Sequence, residues 1–193
     1  MIKVGITGGI GSGKTIICKV IETMGYPVYY ADEKAKFLIN TNKNIISALK
    51  NKFGDDIYSS VNLLNKERLA QLIFNHPENL QFVNQLVHPE VINDFLSWSE
   101  KQKSTIVFQE AALIIEAEVY KKLDYTISVI APEEIRINRV IERDNTSRED
   151  VINRMKNQVT DEIRTEISDF IIYNDDKQLI LPQILNILKQ ITV

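Results

Sequence analysis

Cysteine is nearly absent from this sequence: Cys18 stands alone among 193 residues, so no intrachain disulfide can form. With only two histidines, His76 and His88, a Cys/His metal cluster is not expected either. Charge of one sign is also missing, since 23 Lys and Arg are intermixed with 26 Asp and Glu for a net charge of −3, which leaves no basic face for broad nucleic-acid binding. No apolar run approaches the roughly 18 residues of a membrane span, and the N-terminus carries no basic-then-apolar leader. The expectation is a cytoplasmic chain with no nucleic-acid or membrane partner, no obligate protein partner in evidence, and a small-molecule ligand. Glycine is scarce too, at seven residues, yet four of them fall within residues 8–13.

An apolar run with strand propensity, Ile2, Val4 and Ile6, feeds into that cluster, Gly8-x-x-x-x-Gly13-Lys14-Thr15, and an apolar-periodic helix follows. This is the spacing and the context of a phosphate-binding P-loop. A loop that wraps a polyphosphate must aim several backbone N–H groups inward, and a Cβ at Gly8, Gly11 or Gly13 would obstruct that approach. The helix opening at Gly13 turns its positive dipole end to the same anion. Gly9, Ile10, Gly11, Ser12, Gly13, Lys14 and Thr15 are therefore the candidate ATP-binding residues. Lys14 is placed to reach the β- and γ-phosphates, and the Thr15 hydroxyl to ligate the Mg²⁺ that bridges them.

Ile16, Ile17, Val20, Ile21 and Met24 predict the first helix, stopped by a left-handed Gly25, with Cys18 inside it as a small buried apolar side chain. Residues 27–30 predict a second strand. Asp32, just beyond its end, can face the P-loop crevice as an acid or cap a helix over residues 33–39, and both roles can hold at once. Residues 44–102 are almost wholly helical in pattern, with stripes Leu69, Leu72, Ile73 and Leu80, Val83, Leu86, Val87. Gly54 breaks that run, and His76-Pro77 and His88-Pro89 each predict a helix start. Residues 105–109 predict a buried third strand with Glu110 at its end as the Mg²⁺ acid, and 125–130 a fourth. A helix over about 132–144 then buries Ile137, Val140 and Ile141. Ser147-x-x-Asp150 predicts a capping-box helix start with the stripe Val151, Ile152, Met155, Val159, and Arg154 and Gln158 on its polar side. Residues 145–165 have the polar surface of a mobile lid. Residues 169–173 predict a fifth strand ending at Asn174, and Pro182 the start of a closing helix with the face Ile184, Leu185, Leu188, Ile191.

Strands alternating with helices predict an α/β, three-layer P-loop nucleotide-kinase-like fold with a five-stranded parallel sheet. The 193 residues form one domain on this reading, with a helical acceptor-binding insertion at about 33–103 and a lid at about 145–165. Arg136, Arg139 and Arg143 fall on one stripe of the helix after strand four; they either bind phosphate or make a solvated face neutralised by Glu133, Glu142 or Asp144. A guanine-nucleotide switch is excluded, because Asn42-Lys43-Asn44-Ile45 lacks the base-reading acid and Glu110-Ala-Ala-Leu113 lacks the Asp and the Gly of the metal strand. An arginine-rich helix beside a polar lid instead fits a small-molecule kinase, where water must be excluded during phosphoryl transfer. Another nucleoside or metabolite kinase, or a nucleotide-dependent binding protein without transfer, shares many of these features.

The chain resembles the dephospho-CoA kinases over nearly its whole length. The resemblance rests on Thr7-Gly-Gly-Ile-Gly-Ser-Gly-Lys-Thr15, Ala31-Asp32, Leu86-Val-His-Pro89, Leu113-Ile-Ile-Glu116, Arg139-x-x-x-Arg143-Asp144, Arg154-Met-x-x-Gln158 and Asp169-Phe-Ile-Ile-x-Asn174. It implies ATP-dependent phosphorylation of the ribose 3′-hydroxyl of dephospho-CoA, the last step of coenzyme A biosynthesis. Lys14, Asp32, Arg139 and Arg143 are then catalytic, with Asp32 orienting or deprotonating the hydroxyl. Asp32, His88, Leu113, Glu116 and Arg154 bind substrate, and Thr15 with Glu110 holds Mg²⁺. Three positions depart from the family pattern: Tyr30 stands where an acid is common, Lys36 where Arg is usual, and Glu110 where Asp is usual. A Glu still reaches Mg²⁺ through water, but Lys36 cannot reproduce a bidentate Arg fork.

Overall fold

The computed structural model describes residues 1–59, 63–74 and 76–192. Five strands, β1 (Ile2–Thr7), β2 (Val28–Tyr30), β3 (Ile106–Glu110), β4 (Tyr125–Ile130) and β5 (Phe170–Tyr173), form one sheet in the order β2-β3-β1-β4-β5. Every pairing is parallel. The short apolar runs of the sequence thus become strands buried on both sides, as a parallel sheet covered by helices requires. On either side of β1 the chain connects in opposite directions, which opens a crevice at the carboxyl ends of β1 and its neighbours.

The chain divides into two compact units, residues 1–30 with 102–193, and residues 31–101. In the sheet unit, alternate residues of the strands go to opposite faces. Val4, Ile6, Ile106, Phe108, Ile127 and Val129 pack on one face with Ile17, Cys18 and Ile21 of α1 (Lys14–Thr23). Ile184, Ile187, Leu188 and Ile191 of α9 (Ile180–Ile191) join the same core. Each such side chain contributes on the order of 1.5–3 kcal/mol of transfer free energy. The other face is lined by small residues: a Cβ on Gly5 would lie 2.6 Å from Leu123 Cδ1, and the Thr7 hydroxyl donates to the Ala112 carbonyl at 3.2 Å. Ser128 and Ser168 pair their hydroxyls at 2.7 Å on that side, next to α8 (Asp161–Ile167). Gly25, at φ 90°, ends α1 with its N–H on the Glu22 carbonyl, the left-handed stop the sequence predicts.

The second unit is helical: α2 (Ala31–Thr41), α3 (Lys43–Phe53), α4 (Lys66–Phe74) and α5 (Pro77–Glu100). Asn42 caps α3, its side chain accepting from the N–H groups of Asn44 and Ile45, and donates to Glu90 of α5 at 2.7 Å. Gly54, at φ 97°, closes α3 as its break predicts. The Tyr58 hydroxyl donates to the Ile39 carbonyl of α2 at 2.7 Å. Residues 60–62 and 75 of the stretch expected to be helical lie outside the described residues.

Several expectations are corrected. His76-Pro77 does start a helix, with Pro77 in its first turn, but His88-Pro89 does not: Pro89 lies inside α5, which continues to Glu100. The buried ladder Val83, Val87, Val91, Phe95 runs straight through that position, and its packing outweighs the lost hydrogen bond of one proline. Leu80, expected on the stripe, is exposed. Asp32 is no N-cap for a helix at residue 33, because α2 begins at Ala31 directly after β2 and places Asp32 in its first turn. The residues after Ser147, whose side chain accepts from the Asp150 N–H, form α7 (Arg148–Lys156), but α7 stops before Gln158 and Val159. Pro182 lies in the first turn of α9, which starts at Ile180; Leu185 is exposed and Ile187 takes its place in the core.

Candidate active site

The P-loop follows β1 and lies over α6 (Glu133–Asp144). Gly11 and Gly13 have φ of 78° and 95°, a conformation that other residues adopt only at a cost. A Cβ at Gly11 would sit 2.4 Å from the Arg136 carbonyl, and one at Gly13 would sit 2.1 Å from Asn174 Nδ2. The glycines therefore let the loop fit between α6 and the end of β5. Asn174, buried, donates to the Ser12 carbonyl at 2.8 Å and fixes the turn before α1. The Lys14 ammonium donates to the Gly8 carbonyl at 2.9 Å. The buried Ser12 hydroxyl makes no hydrogen bond among the described residues, and Thr15 lies exposed in the first turn of α1.

Glu110 ends β3, beside Ile6 of β1 and Tyr30 of β2, and is buried. Burial pushes the Cys18 thiol well above its usual value, the Glu110 carboxylate pushes it the same way and the Lys14 ammonium opposes, so the three groups share one electrostatic neighbourhood. Tyr30, standing where the resembling family has an acid, donates its hydroxyl to Glu22 at 2.9 Å; burial, and then that hydrogen bond, raise its pKa. The Thr15 hydroxyl and the Glu110 carboxylate are oxygen ligands of the kind a hard cation such as Mg²⁺ takes, and backbone N–H groups of the glycine turns are the donors a phosphate takes. Among the described residues no group of three or more His, Cys, Asp or Glu could hold a metal ion by itself.

The arginines of α6 have three different environments. Arg136 is buried, donating Nε to the Ile10 carbonyl at 3.0 Å and Nη1 to Asp161 at 3.1 Å. Desolvation lowers its pKa and Asp161 opposes that shift. Arg139 donates to Asp176 at 2.6 Å, to the Asn174 carbonyl at 3.2 Å and to the Gly11 carbonyl at 3.5 Å, so it joins the P-loop to the segment after β5. In that segment backbone N–H groups of Gln178 and Lys177 hold the Asp175 carboxyl near a pKa of about 2. Arg143 is exposed and forks onto Asp144 at 2.7 and 3.1 Å, and Arg154 of α7 donates to the same carboxylate at 3.0 Å. One acid therefore brings the two exposed arginines together.

Glu116, expected on the acceptor side, accepts from the Val159 N–H at 3.1 Å and from Arg164 at 3.4 Å, while its second oxygen is buried without a hydrogen bond among the described residues. Leu113 is exposed. In the helical unit, Asp32 lies within electrostatic reach of His88, whose pKa is lowered by burial and partly restored by Asp32. Sequence reasoning missed Asp161, Arg164 and Asp176 as partners of site residues; they are single charges in polar stretches, with no spacing that marks them. Asn174 was marked by its place at a strand end and within the Asp169-Phe-Ile-Ile-x-Asn174 match, but without a role.

The sheet order, the P-loop on β1 and the acid on β3 define a P-loop kinase fold. The shikimate kinase of Acinetobacter baumannii, solved with shikimate, shares that fold with a TM-score of 0.52 at 15% identity, covering 100% of this chain and 93% of its own. The chain belongs to the dephospho-CoA kinase family, whose model matches residues 2–179. A Bacteroides fragilis protein named dephospho-CoA kinase is 38% identical over 188 residues, 97% of this chain and 91% of its own length. A Porphyromonas gingivalis protein of the same name is 35% identical over 192 residues, 99% and 95% of the two chains. A Thermus thermophilus crystal structure superposes with a TM-score of 0.88 at 30% identity, covering 100% of this chain and 98% of the other. Among the described residues no helix is long and apolar enough to cross a membrane.

Proposed function

We propose that the chain transfers the γ-phosphoryl group of ATP to the ribose 3′-hydroxyl of dephospho-CoA, giving coenzyme A and ADP. The observation that carries this reading is the extent of the family match: residues 2–179 contain every candidate site residue. The intact cradle at Gly11 and Gly13 supports the nucleotide side independently.

In this reading the P-loop N–H groups and Lys14 hold the β- and γ-phosphates, and Thr15 with Glu110 hold Mg²⁺. When bound with ATP, Mg²⁺ neutralises charge on the transferring phosphoryl group. Asp32 accepts the proton of the 3′-hydroxyl or orients it for in-line attack, with His88, Leu113 and Glu116 on the acceptor side. Arg139, Arg143 and Arg154 stabilise the spread negative charge. Arg143 and Arg154 must exchange Asp144 for phosphate to do so. Within residues 145–165, α7 supplies the lid that excludes water, its exposed charged surface supporting that role, while residues 159–164 are tied to Glu116 and Arg136. A cytoplasmic location goes with this reading.

The test is incubation with Mg-ATP and a panel of acceptors, namely dephospho-CoA, shikimate and nucleoside monophosphates, with product masses measured. Phosphorylation of dephospho-CoA at a rate far above the other acceptors is expected. Preference for another acceptor, or ATP hydrolysis indifferent to all of them, refutes the proposal.

A further inference from the structure

Both backbone polar groups of Ile10, which lie in successive peptide planes, are held by residues distant in sequence. Its N–H donates to Gln158 Oε1 at 2.8 Å, and its carbonyl accepts from Arg136 Nε at 3.0 Å. The Arg136 guanidinium lies flat against the preceding residue, where a Cβ on Gly9 would be 2.1 Å from Nη2. Ile10 is the residue at which the loop turns back toward Gly11 and Gly13, so fixing its peptide fixes the direction of the N–H groups that follow.

Gln158 is itself held firmly. Its N–H donates to the Met155 carbonyl at 3.0 Å as the chain leaves α7. The next residue, Val159, has both backbone groups committed, its N–H to Glu116 and its carbonyl to Arg164. Arg164 also pairs with Asp161, and Asp161 with Arg136. A chain of charges, Glu116–Arg164–Asp161–Arg136, thus runs from the loop after β3 to the Ile10 carbonyl, and Gln158 closes the circuit at the Ile10 N–H. A surface lid residue would not need such anchoring. We infer that Gln158 is a positioning residue, which with Arg136 holds the P-loop in its anion-ready shape before nucleotide arrives. The inference rests on the reading of residues 8–15 as the ATP site and assigns Gln158 no contact with substrate.

Two variants test it. Gln158→Met keeps the length of the side chain and removes the acceptor, whereas Gln158→Glu keeps an acceptor oxygen. Amide hydrogen exchange at Ile10 is measured without nucleotide, so that repulsion between the Glu carboxylate and phosphate does not enter, and the dissociation constant of ATP is measured by titration without acceptor. For Gln158→Met, exchange at Ile10 should rise and ATP binding weaken, each by about threefold to tenfold, the range of one ordinary hydrogen bond. The KM for dephospho-CoA should stay near the parent value. Gln158→Glu should restore the slow exchange of the parent. Fast exchange in the Glu variant too, or unchanged exchange and ATP affinity in the Met variant, overturns the inference. Failure of the parent protein to bind ATP would instead overturn the nucleotide-site reading on which it rests.

Discussion

Replacing Arg164 by Met should destabilise the sheet unit more than any surface charge change. Its side chain is 1% exposed and serves Asp161, Glu116 and the Val159 carbonyl at once. Removing one partner from a buried ion pair costs about 3–5 kcal/mol, because the acids left behind keep their desolvation penalty. Here both acids retain a second donor, Asp161 in Arg136 and Glu116 in the Val159 N–H, and they are 28% and 20% exposed. The lower end, about 3 kcal/mol, therefore applies. For a chain of this size each kcal/mol lowers Tm by about 2–4 °C, so a drop of roughly 6–12 °C is expected in a thermal melt followed by circular dichroism. The control is Arg148→Ala, which removes an ion pair to Glu134 whose partners are 50% and 66% exposed. Solvent screens such a pair almost completely, so its loss should move Tm far less than the Arg164 change does. Equal shifts in the two variants would show that the charge network is not what holds residues 157–164 in place.

Other variants separate chemistry from architecture. Lys14→Ala should slow turnover by on the order of 10²-fold or more with the circular dichroism spectrum unchanged, and near-normal turnover would dismiss the P-loop assignment. Asp32→Asn should lower turnover with dephospho-CoA by ~10²–10⁴-fold while an ATP-binding titration hardly changes. A turnover close to the parent's would remove Asp32 from the proton-transfer role. Arg139→Ala and Arg143→Ala should each reduce turnover and Arg148→Ala should not; equal small losses in all three would favour a solvated face. Burial lowers the His88 pKa, so the unfolded chain takes up a proton near the usual 6.5 while the folded chain resists it. Stability should therefore be fully present above about pH 6.5 and fall as the pH drops from there through the lower pKa of the folded state, and His88→Gln should flatten this part of a urea-denaturation pH series. An equally steep series in the variant would contradict the assignment.

What was legible in the sequence was whatever depends on neighbours along the chain. The five strands and the P-loop follow from local apolar runs and glycine spacing, and the caps at Ser147 and Gly25 from local hydrogen bonding. Pro89 was misread because the rule that proline begins a helix is local, whereas the ladder that carries α5 past it is set by packing within the helical unit. The arginine stripe was legible only in part. Spacing puts Arg136, Arg139 and Arg143 on one side of α6 and Asp144 next to Arg143, but Asp161 and Asp176 come from distant segments and give Arg136 and Arg139 their separate tasks. Where the partner lies far along the chain, no local pattern reveals the direction of a charged side chain.

The isolation of Cys18 has a practical use. The thiol is completely buried on α1, the helix that opens at the P-loop, and burial keeps it protonated. A thiol reagent in solution can react with it only when α1 separates from the sheet, so the labelling rate of the unmodified protein measures that opening with no background from other cysteines. Because a ligand that binds only the closed form lowers the open fraction by the factor 1 + [L]/Kd, nucleotide binding becomes readable as a slowing of a single chemical reaction, without a chromophore, a coupled enzyme or an acceptor.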